Sequence, residues 1–206
     1  MLRYAGMASS FDWCFVGIGN PEGQHARDRH NAGKIALRAA ARAWACAPPR
    51  EGAIAPCIVA DGVAALYLTR SFMNATGAEI KRVLNASSIP LRRLVVWHDD
   101  VDLALGTIRL SWAARSGGHR GVASIERSIG SRFWWRLRFG ISPQGQDQRL
   151  RKPDKTILAD WLVAEANSAE LKCYEAMGVF AGEGLFNILT RGGALHPTTW
   201  RLAPLL

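Results

Sequence analysis

Residues 94–97, Leu-Val-Val-Trp, form an unbroken apolar run that leads straight into His98-Asp99-Asp100-Val101-Asp102. A run without polar alternation reads as a buried strand, and such strands belong to sheets with both faces covered. The same run places a carboxylate, Asp99, on rigid backbone rather than on a mobile loop.

The remaining signals fit that constraint. Residues 13–18 are a second apolar run, followed by the loop 19–29. Residues 31–47 are alanine-rich with strong helix propensity, and Pro48-Pro49 ends them. Strands over 54–60 and 64–69 flank the hairpin turn Asp61-Gly62. The pattern further predicts a helix over 78–84, a strand over 107–112 and a helix over 122–129 after Gly117-Gly118 and Gly121. Residues 136–141 alternate basic and apolar, which predicts a half-buried strand with one arginine face. A helix over 169–181 follows the polar, charged stretch 144–155, which is expected to be mobile. Strands alternating with helices predict the α/β class, with one domain built on a mixed twisted sheet flanked by helices on both faces. The expected division is a flexible or targeting segment over 1–12, the domain over 13–191 and a tail of little pattern over 192–206.

No apolar stretch approaches the ~18 residues of a membrane span. Four cysteines (Cys14, Cys46, Cys57 and Cys173) are scattered without a C-x-x-C pair. That spacing suggests reduced thiols in a reducing compartment. Residues 1–10 are small, hydroxylated and free of acid, too short for a secretory signal. They read either as a short mitochondrial targeting segment, which would place the chain in the matrix, or as a frayed terminus of a cytoplasmic protein.

Basic side chains number 26 against 17 acidic ones. Residues 80–155 hold 15 of the basic groups and 6 of the acidic ones, so the rest of the chain balances at 11 and 11. A basic segment on a neutral body points to a polyanion, and its richness in arginine suits phosphate.

Four polar clusters carry the chemistry. His30 is the natural general base, since imidazole exchanges protons near neutral pH. Asp99 is the carboxylate expected to orient it. Asn20 and Asn74 are amides able to bind an acyl group and stabilise an oxyanion, although each also suits an ordinary turn. Two other patterns compete. Gly17-x-Gly19 follows a strand, but Pro21 interrupts the helix start that a dinucleotide loop requires. The acidic cluster could hold a divalent metal for phosphoester chemistry, yet no second carboxylate cluster completes an oxygen cage. Asp100 and Asp102 can instead cap the following turn, with Asp102 paired to an arginine. The loop Ser116-Gly117-Gly118-His119-Arg120-Gly121 is either a receiver for phosphate or carbonyl oxygen, or a plain strand-to-helix connection.

Taken in order, six segments resemble the bacterial-type peptidyl-tRNA hydrolase family. They are Val16-Gly17-Ile18-Gly19-Asn20-Pro21, Arg29-His30-Asn31-Ala32-Gly33, Ser71-Phe72-Met73-Asn74-Ala75-Thr76-Gly77, His98 through Gly106, Gly117-Gly118-His119-x-Gly121 and Arg136-Leu137-Arg138-x-Gly140-Ile141. The resemblance implies a monomer that hydrolyses the ester between a peptide and the 3′ end of tRNA, with no cofactor or metal. It implies His30 as base, Asp99 as its partner, and Asn20 and Asn74 as substrate-polarising groups. His25, standing where the family has an aromatic residue, Met73, His119 and Arg120 would line the substrate side. His119 would belong to the loop that shapes the peptide channel. Arg138, Arg149, Arg151 and Lys152 would face tRNA. Arg120 replaces a family asparagine, and some relatives have given up hydrolysis for RNA processing. The alternative is therefore an RNA-binding factor, associated with the ribosome or its RNA in an organelle.

Overall fold

The computed structural model describes residues 11–60 and 62–202. The segment read as a targeting peptide, apart from its last two residues, lies outside the described residues, as does Asp61 of the expected hairpin turn.

Seven strands form one mixed sheet in the order β2-β3-β1-β4-β6-β5-β7. The strands are β1 (Trp13–Gly17), β2 (Ala55–Val59), β3 (Gly62–Leu68), β4 (Leu94–Ala104), β5 (Thr107–Trp112), β6 (Trp135–Ser142) and β7 (Thr198–Arg201). The inner four, β3, β1, β4 and β6, run parallel, while β2, β5 and β7 join antiparallel. Period-two alternation divides their side chains between two apolar layers. Phe15, Leu66, Val95 and Trp97 face one layer. Val16, Ala65, Leu94 and Val96 face the other.

The helices α1 (Glu22–His25), α2 (Ala32–Ala43), α3 (Thr76–Ser87), α4 (Arg120–Ile129), α5 (Leu158–Val163) and α6 (Ser168–Thr190) complete the chain. Ala36, Leu37 and Ala40 of α2 pack with Tyr174, Met177 and Leu185 of α6 in the first layer. Ile80 and Val83 of α3 pack with Val122 and Ile125 of α4 in the second. Helices thus cover both faces, and the fully apolar run of β4 lies between them, as its sequence requires.

From β1 the chain passes over one face to β2 and β3. It then returns over the other face, through α3, to β4 on the opposite side of β1. The carboxyl ends of β1 and β4 therefore flank a point where strand order reverses, the usual place for a crevice in an open α/β sheet. At Gly33 the start of α2 lies directly on β4. A Cβ there would overlap the Trp97 carbonyl oxygen and crowd the His98 backbone. Gly77 does the same for α3 against the Ser124 carbonyl of α4.

Three expectations are corrected. Cys46 and Cys57 form a disulfide with Cα atoms 5.5 Å apart. The fold returns β2 beside the end of α2, a proximity that spacing along the chain does not reveal. Cys14 and Cys173 are free and buried. Arg136 is not on an outward arginine face: it is buried, stacks 3.6 Å from the Trp134 ring centroid and donates to Glu126 at 2.9 Å. Burial outweighs Glu126 and brings its pKa down to about 10. Finally, the segment set apart as a C-terminal tail contains β7, which pairs with β5 through Thr198 to Arg201.

Candidate active site

His30 sits in a single 3₁₀ turn, Arg29–Asn31, that opens directly into α2. Arg29 anchors this turn by donating from Nε and Nη2 to the two carboxylate oxygens of Glu170, each at 2.9 Å. The Gly33 contact then sets the turn against β4 at Trp97 and His98. His30 Nδ1 lies 2.8 Å from Asp99 Oδ1, and both residues are buried. An ionised carboxylate only accepts, so Nδ1 carries the hydrogen, and in the neutral ring that leaves Nε2 as the nitrogen with the lone pair.

A second ring shares that oxygen. His119 Nε2 lies 3.0 Å from Asp99 Oδ1, and its Nδ1 accepts from the Val122 N–H at 3.3 Å. His119 is therefore the N-cap of α4 as well as a partner of Asp99, a role beyond the channel wall expected of it. Burial alone would raise the Asp99 pKa. The two imidazoles more than offset burial and hold the carboxyl well below the usual range. His98, next along β4, donates from Nδ1 to the Asp99 carbonyl at 2.7 Å. Desolvation and the neighbouring His119 push its pKa well down, so it stays neutral.

Both proposed amides are held by their backbones with their side chains left over. Asn20 donates its N–H to Asn31 Oδ1 at 2.7 Å. Its carbonyl accepts from Asn31 Nδ2 at 3.1 Å and from Lys34 Nζ at 2.6 Å. Asn74 lies exposed in the turn Met73–Ala75, and its carbonyl accepts from Ser124 Oγ of α4 at 2.8 Å. Glu79 shapes that turn from below, accepting from Tyr67 Oη at 2.7 Å, Arg70 N–H at 2.9 Å and Ser71 N–H at 3.0 Å. Among the described residues neither carboxamide has a hydrogen-bond partner, so both are free to meet a ligand. Met73 and His119 approach each other around Gly121, where a Cβ would press on both. His25 pairs with Asp28 at 2.5 Å, and its ring meets the exposed Phe72 edge-on at 6.3 Å between centroids.

The remaining carboxylates of the acidic cluster are engaged by cations. Asp100 pairs with Arg138 and accepts the Asp102 N–H at 2.8 Å. Asp102 pairs with Lys152 at 2.5 Å, not with an arginine as expected, because the 144–155 segment folds back over the end of β4. Arg151 reaches Asp147 at 3.0 Å and Arg149 reaches it at 3.9 Å. The expected tRNA-facing cations thus each have an acidic neighbour. By contrast, Arg115, Arg120, Arg127 and Arg132 are exposed and without an ion pair among the described residues. One atom each from His30, Asp99 and His119 fall within 4.8 Å of one another, which is ligand-like spacing. In this arrangement, however, the carboxylate oxygen already accepts from both rings.

Asn31, Lys34, Glu51, Glu79 and Ser124 were given no role by sequence reasoning. Asn31 stood inside a recognised segment. The others carry no local signal, since each acts through a partner distant in the chain.

The model of the family described as peptidyl-tRNA hydrolase matches residues 14–195. The peptidyl-tRNA hydrolase of Mycobacteroides abscessus is 33% identical over 177 residues, covering 84% of this chain and 88% of its own. That of Gloeobacter violaceus is 31% identical over 183 residues, covering 83% and 88%. Among solved structures, the peptidyl-tRNA hydrolase of Acinetobacter baumannii superposes with a TM-score of 0.74 at 25% identity, covering 91% of this chain and 92% of its own.

Proposed function

Since the chain belongs to the peptidyl-tRNA hydrolase family, we propose that it frees peptides from tRNA by hydrolysing the ester to the terminal ribose, with His30 activating the water. The observation that carries this reading is the buried contact of His30 Nδ1 with Asp99 Oδ1 at 2.8 Å. It leaves Nε2 as the basic nitrogen of the neutral ring, and in this mechanism the Asn20 and Asn74 carboxamides, which have no hydrogen-bond partner among the described residues, meet the same acyl group.

His30 Nε2 takes a proton from water as the oxygen attacks the ester carbonyl carbon. The Nδ1–H bond to Asp99 stabilises the imidazolium that forms. Negative charge gathers on the carbonyl oxygen, toward which the Asn20 and Asn74 amides donate. One such donor contributes roughly 3 kcal/mol of transition-state stabilisation. The tetrahedral intermediate then breaks its bond to the ribose oxygen, which receives the proton held on Nε2. The products are a peptide acid and tRNA with a free hydroxyl. No step calls for a second nucleophile.

The exposed arginines around α4 support tRNA as the partner, with arginine suited to its phosphates. The finer expectations, a chain working as a monomer and reaching ribosomal RNA through the same surface, belong to this proposal.

The test is release of N-acetyl-aminoacyl groups from tRNA by the purified chain, with and without EDTA. The parent is expected to turn over equally in both. His30→Ala should lose at least about 10²-fold in kcat while retaining tRNA affinity. Parental turnover by that variant would overturn the mechanism, and loss of parental activity in EDTA would replace it with a metal-assisted one.

A further inference from the structure

Lys34 lies on α2, one turn beyond His30, and its relative exposure is 0%. Burying an ammonium is costly, and a well-packed apolar side chain at such a place is often at least as stable. Its near neighbours on α2 are Ala32, Gly33, Ile35, Ala36 and Leu37, all small or apolar, so the charge is not demanded by packing along the helix. Its contacts show what it serves. Nζ donates to the Asn20 carbonyl at 2.6 Å and to Glu51 Oε1 at 2.5 Å. That same oxygen of Glu51 accepts the Glu22 N–H at 3.0 Å, tying down the start of α1 just past the Asn20 loop. Gly19 leaves no room for a Cβ between the Asn31 amide and Lys34 Cε. Glu51 itself sits in the segment closed by the Cys46–Cys57 disulfide and bridges to Leu68 of β3. Together with Asn31, these groups leave Asn20 only its side chain to move.

We propose that Lys34, braced by Glu51, is a positioning residue for ester hydrolysis: it fixes the Asn20 carbonyl so that the Asn20 carboxamide faces the acyl group. The proposal rests on the substrate role given to Asn20 above, and it adds a part that the catalytic geometry alone does not contain. Displacing a substrate-orienting group by about an ångström can cost up to ~10²-fold in rate, so a distant brace acts through kcat/KM.

The test is a cycle of four full-length proteins: the parent, Asn20→Ala, Lys34→Met and the double variant. Each is assayed for release from N-acetyl-aminoacyl-tRNA and for thermal midpoint. Methionine keeps the length of the side chain and removes the ammonium. Lys34→Met is expected to lose about tenfold in kcat/KM in the parent and less than about twofold in the Asn20→Ala background. An equal loss in both backgrounds, or no loss in the parent, overturns the positioning role and leaves the hydrolase reading standing. An Asn20→Ala protein with parental kcat/KM overturns the substrate role of Asn20, and this proposal with it. Should Lys34→Met fail to fold, Glu51→Gln serves in its place. It keeps an oxygen for the Glu22 N–H and weakens the hold on Lys34. Its expected loss is about threefold in the parent and none beside Asn20→Ala. The same loss in both backgrounds overturns the proposal.

Discussion

Two rings lean on one oxygen of Asp99, from His30 at 2.8 Å and His119 at 3.0 Å, and that sharing separates the effects of substituting each residue. His119→Ala leaves His30 its partner and should cost activity far less than Asp99→Asn. In Asp99→Asn an amide replaces the pure acceptor, and His30 can settle in the wrong tautomer. The expected loss is about 10²–10⁴-fold in kcat. The pH dependence follows from the depressed Asp99 pKa. A carboxyl with a lowered folded pKa adds stability above its unfolded value of about 4, and that stability fades as pH falls through the folded value. Denaturation at pH 7 and pH 3 should therefore show the gap between parent and Asp99→Asn narrowing in acid. An unchanged gap would mean that the carboxyl is not held low. Between pH 5 and 9 Asp99 stays ionised, so any acid limb of the activity belongs to another group. The pairing of His30 with Asp99 was legible because one residue opens a helix and the other ends an apolar strand run. Lys34 was not legible: a lysine in an alanine-rich helix reads as solvated, and only the fold shows the carbonyl lying above it.

At the scale of elements, the central strands were readable, though not their parallel pairing, and the margins of the sheet were not. Long apolar runs at 13–18 and 94–97 announce β1 and β4 through composition alone. The hairpin of β2 and β3 was announced by turn chemistry. Strand β7 has four residues and pairs with β5, some ninety positions earlier, so no local pattern marks it. The bond between Cys46 and Cys57 was invisible for a related reason. Its two ends belong to a helix terminus and an edge strand, brought together only when β2 docks. Closing a loop with a sequence separation of 11 stabilises by about 3 kcal/mol in the chain-entropy view. Reduction, or Cys46→Ser with Cys57→Ser, should thus lower the midpoint of thermal unfolding by roughly 6–12 °C. Calorimetry with and without reductant reads this directly, and an unchanged midpoint would show that the loop was already ordered without its bond.

For the molecule as a whole, the surplus of basic groups is real at the surface but not where every motif suggested. Arg138, Arg151 and Lys152 have carboxylate partners. Arg115, Arg120, Arg127 and Arg132 are exposed and unpaired among the described residues. Each that meets a phosphate releases counterions, contributing roughly 0.7–0.9 to the slope of log affinity against log salt. Titrating tRNA at several salt concentrations should give a slope that falls by about one when Arg132 becomes Ala, with little effect on kcat.

The helix that begins just after His30 touches the strand that carries Asp99 through bare backbone, with no side chain between Gly33 and Trp97. Such a seam has no rotamer to search and little to rearrange when a ligand arrives. On the mechanism proposed above, His30 and Asp99 would keep their contact through substrate binding, so arrival of tRNA would only have to bring the ester to them.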